Sequence, residues 1–92
     1  RALGPSLASG GIVGFLNDQT VTVYNSTGEA VSSNDNWQND PQAGMLQSIG
    51  LAPTAANEAA TLVTVPPGSY TAVVQGVNGG TGVGLLEVYN LP

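Results

Sequence analysis

An antiparallel β-sandwich or jelly roll is the fold this sequence predicts, on three observations. Thr20-Val21-Thr22-Val23-Tyr24 alternates hydroxyl and apolar side chains, the period of a half-buried strand. Further β-branched runs recur at 58–65 and 69–77, separated by Pro, Gly and Asn. One stretch, near 41–49, has helical spacing, so a single short helix interrupts an otherwise all-β domain.

Taken in order, Arg1-Ala2-Leu3 reads as the end of a strand, and a start at Arg rather than Met reads as a processed product or an excerpt. Strand Thr20–Tyr24 is followed by the turn Asn25-Ser26-Thr27-Gly28, and Glu29–Ser33 returns as the second arm of a hairpin. Residues 34–41 form a polar loop carrying Trp37. Asp40 is placed to cap a helix with Pro41 at its first position, Gln42–Ile49 forms that helix, and Gly50 stops it. Glu58–Val65 is the next strand. Pro66-Pro67-Gly68-Ser69 has the residues of a type II turn, which requires φ > 0 at Gly68. Ser69–Val77 returns, Asn78-Gly79-Gly80-Thr81 turns again with one residue at positive φ, and Gly82–Asn90 is the last strand. Val21, Val23, Leu62, Val63, Val73, Leu86 and Val88 are the expected core, with Trp37 as a lid.

Composition excludes most chemistry. The 92 residues form one small domain with no histidine, cysteine or lysine, and Arg1 is the only cation against six carboxylates. Histidine acid/base work, thiolate nucleophiles and basic phosphate clamps are therefore absent. A net charge of −5 excludes nucleic acid and anionic membranes as partners. No apolar run reaches the roughly 20 residues that span a bilayer. Charged residues are 8% of the chain, well under the roughly 25% of an average domain, so like surfaces repel weakly.

The motifs Arg1-Ala2-Leu3-Gly4-Pro5-Ser6-Leu7, Ser33-Asn34-Asp35-Asn36-Trp37, Pro66-Pro67-Gly68-Ser69-Tyr70-Thr71-Ala72-Val73-Val74 and Gly82-Val83-Gly84-Leu85-Leu86-Glu87-Val88-Tyr89 resemble, in this order, a repeat module of large secreted and surface bacterial proteins. More distantly, the chain is similar to bacterial pre-peptidase C-terminal β-sandwich domains. The resemblance covers nearly the whole chain. It implies an extracellular or cell-surface, non-catalytic module, in tandem copies, whose strands preceding Arg1 are supplied by a neighbouring copy.

Three constellations carry possible chemistry. Asp35, Asp40 and Glu58 offer the hard oxygens that calcium takes, but not at EF-hand spacing, and the plain reading is that Asn34-Asp35-Asn36 caps its own loop. No metal is expected to be required for folding. Asn25-Ser26-Thr27 is an N-glycosylation sequon in a turn. Asp35 with Asp40, or Glu58 with Glu87, could flank a glycosidic bond, but no motif supports catalysis. Gly79-Gly80-Thr81-Gly82 lacks the Lys-Ser/Thr ending of a phosphate loop.

The function expected is structural: a subunit or repeat segment of an extracellular bacterial filament, built from other copies of the same chain by β-strand packing. Arg1, Ala2, Leu3, Leu7, Leu86, Val88 and Tyr89 are the expected assembly residues, with Arg1 paired to an acid of the neighbouring copy. The alternative is a non-catalytic module that tethers a secreted enzyme or adhesin to polysaccharide, which calls for exposed aromatic platforms.

Overall fold

In the computed structural model, which describes residues 1–91, the alternating run around Val21 lies at the centre of the larger of two antiparallel sheets. Strand β1 is Ala2–Leu3, β2 Gln19–Tyr24, β3 Ala30–Asn34, β4 Thr71–Gly76 and β5 Leu85–Leu86, with helix α1 at Ala43–Ser48. The three-stranded sheet has the order β3-β2-β4, and β1 with β5 makes the second sheet. The chain is thus β-rich, with few and short helical segments.

Register follows the alternation. Val21 pairs across to Asn34 of β3 and Val74 of β4, and Val23 to Ser32 and Ala72. Gln19 and Val21 are buried on one face of β2, where Val21 packs with Ala2, Ala59 and Val74. A second cluster joins Trp37, Leu46 and Ala60, flanked by Ala43, Ala52 and Leu62. Trp37 is the lid its position predicts: it is buried, and its indole N–H donates to the Ala55 carbonyl at 3.2 Å.

The hairpin turn is as expected, with Gly28 at φ 85° and the Asn25 side-chain oxygen accepting from the Thr27 and Glu29 amides. Asp40 receives the Gln42 amide at 2.8 Å, so it serves the helix start although regular helix begins at Ala43. Gly50, at φ 75°, ends that helix, and the Leu51 amide returns to the Leu46 carbonyl. Met45 and Ile49 are exposed while Leu46 is buried, so α1 turns Leu46 inward. Asn78 and Gly79 take positive φ in the later turn.

Four expectations are corrected. Glu58–Val65 is not a strand: Ala59 bridges once to Ala2, and the Ala60 amide is then drawn to the Asn34 side chain at 3.0 Å, away from any ladder. Gly82–Asn90 contributes only Leu85–Leu86; in the antiparallel register Gly4 and Pro5 fall opposite Gly84 and Val83, and there the chain turns into a 3-10 segment over Pro5–Gly10. Gly68 does not take positive φ. Tyr70 closes that turn instead, its hydroxyl donating to the Pro66 carbonyl at 2.5 Å with its ring over Gly68. The core is smaller than expected: Val23, Leu62, Val63 and Val73 are half-buried, Leu86 is 38% exposed and Val88 78%. Leu86 and Val88 stay exposed: the β1–β5 ladder comprises two residue pairs, and Val88 lies beyond it.

Candidate functional site

The exposed apolar residues border a cleft. About 1170 Å³ in volume, it lies between the β2–β4 face (Val21, Val23, Ala72), helix α1 (Met45, Leu46, Ile49), the run 60–65 and the C-terminal stretch 86–91. Its walls are mostly aliphatic, and two of them, the run 61–65 and the stretch beyond Leu86, lie outside the sheets. The run 61–65 left its ladder, and the C-terminal stretch outlasted β1.

Charge enters the cleft at one place. The Arg1 guanidinium meets Glu87 at 2.5 Å, reaches the Leu51 carbonyl at 3.3 Å and lies 5.8 Å from the centre of the Tyr89 ring. Tyr89 donates its hydroxyl to the other Glu87 oxygen at 3.1 Å. The Arg1 hydrogen bond, aided by Tyr89 and by the Arg1 charge, holds the Glu87 carboxyl below the usual range despite partial burial. Arg1 thus has an acid of its own chain, Glu87, as its ion-pair partner.

The assembly candidates divide by position. Ala2 is fully buried between Ala59 and Val21, so its side chain belongs to the internal core. Leu3 pairs with Leu85, and Leu7 is half-buried in the 3-10 turn. Leu86, Val88 and Tyr89 stand at the cleft with their side chains exposed.

The calcium candidates lie in three different settings. Glu58 is wholly buried. Its Oε2 accepts from the Gly4 amide at 2.7 Å, the Ser6 amide at 3.0 Å and the Ser6 hydroxyl at 2.6 Å, and its Oε1 accepts from the Ala55 amide at 3.2 Å. The Gly4 and Ser6 amides are the orphan donors at the start of the 3-10 turn, so the carboxylate acts as a cap reached from far along the chain. Asp40 is occupied at the start of α1. Asp35 is exposed and faces Asp18, not Asp40 or Glu58. Desolvation, together with the Asp35 charge, pushes the Asp18 carboxyl above its usual range. Among the described residues no three acidic groups come together.

Asn34 shows what its loop does: the side-chain oxygen takes the Ala60 amide and the side-chain nitrogen donates to the Asn36 carbonyl. At Asn25 the same kind of oxygen is occupied by turn amides and by the Thr27 hydroxyl at 2.9 Å. Sequence reasoning missed Gln19, fully buried with Nε2 on the Ala2 carbonyl at 2.8 Å and Oε1 unpartnered, and it missed the Asp18–Asp35 pair. The polar alternation of β2 gave a signal for Gln19; nothing local signals a meeting of residues 18 and 35.

Comparison of the chain with protein-family models, with curated proteins and with solved structures finds no match. Among the described residues no helix is long and apolar enough to cross a membrane.

Proposed function

We propose that this chain is a structural subunit or repeat segment of an extracellular bacterial filament, held together by β-strand packing between copies. The observation that supports this reading best is the aliphatic cleft with exposed Leu86, Val88, Tyr89 and Leu91 on its rim. Large apolar side chains gathered on one rim, rather than scattered, mark an interaction surface. A strand entering the cleft would lie over the β2–β4 face and turn two partial sheets into the sandwich that the sequence predicts. A contact that joins different patches of successive copies does not close on itself, and so builds a fibre.

The polysaccharide reading is less favoured because Trp37, the largest potential stacking surface, is buried, and the Tyr70 hydroxyl is tied to its own turn. Light scattering over a concentration series, with negative-stain microscopy, tests the proposal. Concentration-dependent growth that persists in molar salt is the expected result, since apolar burial and backbone pairing are weakly screened. A monomer at all concentrations would refute it.

A further inference from the structure

Thr61-Leu62-Val63-Thr64-Val65 is the best strand-forming run left outside both sheets, without Gly, Pro or charge and of ordinary strand length. Among the described residues, none of its five backbone N–H or C=O groups has a hydrogen-bond partner within the chain; Ser32 and the Thr61 hydroxyl meet only through their side chains. The same holds for the backbone of Val88–Leu91, at the cleft's other wall. A lipid or sugar would cover the aliphatic walls but leave the 61–65 backbone row unpaired, whereas a β-strand covers the walls and pairs that row.

Charge identifies which strand. The chain carries −5, yet among the described residues the only charged side chains on the cleft are Arg1 and Glu87, which neutralise each other. All the net charge therefore comes from Asp18, Glu29, Asp35, Asp40 and Glu58, outside the cleft. Two copies of an acidic molecule approach most easily through such a neutral face. The segment best suited to enter it is the chain's own C-terminal stretch, since Val88, Tyr89 and Leu91 are solvent-exposed and, among the described residues, the backbone of Val88–Leu91 is unpaired within the chain.

We infer that Thr61–Val65 is an acceptor edge and that its occupant is the Val88–Leu91 stretch of a second copy of this chain. The inference rests on the filament reading and names the contact through which that filament would grow. Donor and acceptor are different patches, so each copy gives one strand and receives one.

Because the chain has no cysteine, a disulfide between engineered sites reports the contact cleanly. Val63→Cys is mixed with each of Val88→Cys, Tyr89→Cys, Asn90→Cys and Leu91→Cys, all full-length single variants, under mild oxidation, and crosslinked pairs are read by mass. In parallel, Thr64→Lys places a charge on the exposed edge without touching the core, and association is measured against wild type. The expected result is a crosslink between Val63→Cys and at least one C-terminal variant, with association weakened roughly tenfold or more by Thr64→Lys. Crosslinking of Val63→Cys only to itself would overturn the donor assignment. Association without these crosslinks and indifferent to Thr64→Lys would overturn the inference while leaving the filament reading in place. Absence of association at any concentration would remove both. Slow hydrogen exchange of the 61–65 amides in dilute monomer would also overturn it, by showing that the run already has partners.

Discussion

Replacing Glu58 by alanine removes a buried acceptor that ties the 3-10 turn at Pro5–Gly10 to residues 55–59, and its cost follows from the geometry. Four donors converge on the carboxylate. The Ser6 hydroxyl can rotate to water, and the Ser6 and Ala55 amides are half-buried, so part of their loss is recoverable. The Gly4 amide cannot move out: Gly4 is buried, with its Cα so close to the Leu16 carbonyl that a Cβ there would sit 1.9 Å from the oxygen. That orphaned donor alone costs about 1–3 kcal/mol. The remaining bonds and the lost methylene bring the total to about 3–5 kcal/mol. For a domain of this size that is a fall in Tm of roughly 12–40 °C. Glu58→Gln keeps one acceptor oxygen for the Gly4 and Ser6 side but turns an NH2 group toward the Ala55 amide, so it should cost about 1–2 kcal/mol. Thermal and urea unfolding followed by circular dichroism measure both, and the Gly4 and Ser6 amide resonances report the local contact. If Glu58→Ala unfolds within about 0.5 kcal/mol of wild type and those resonances stay put, the carboxylate does not hold the turn.

Leu46→Ala should cost about 2–5 kcal/mol, since Leu46 is only 4% exposed within the Trp37 cluster, whereas Val88→Ala should leave monomer stability within about 0.5 kcal/mol; equal losses in denaturant titrations would contradict the burial pattern. Two carboxylates set opposing pH trends. Glu87, whose pKa is lowered in the folded chain, adds stability above the ordinary glutamate pKa of ~4.3, and this is lost as pH falls through the folded value. Asp18, whose pKa is raised, has its contribution intact below the ordinary aspartate pKa of ~3.9 and loses it as pH rises through the folded value. Asp18→Asn should therefore stabilise the chain at neutral pH by up to about 1 kcal/mol, with the gain vanishing in acid; a gain unchanged between pH 7 and pH 3 would count against the Asp35 contact.

By itself the sequence determined the features that need only neighbours along the chain. The β2–β3 hairpin follows from alternation and the Asn25–Gly28 turn, helix α1 from Asp40 before it and Gly50 after it, and the Asn78–Gly79 turn from residues that tolerate positive φ. The missing histidine, cysteine and lysine were equally plain, and the chemistry they exclude does not depend on folding. Only the tertiary structure decided whether a strand-forming run finds a partner. Residues 61–65 have every local mark of a strand, yet the Ala60 amide goes to Asn34, 26 positions away in sequence, and the ladder is not continued. Glu58 shows the same limit. A lone glutamate before an apolar run reads as a surface acid or a metal ligand, and only the return of Gly4 and Ser6 to its side makes it a buried cap. Pairing across long loops is set by competition among distant donors and acceptors, which periodicity does not encode.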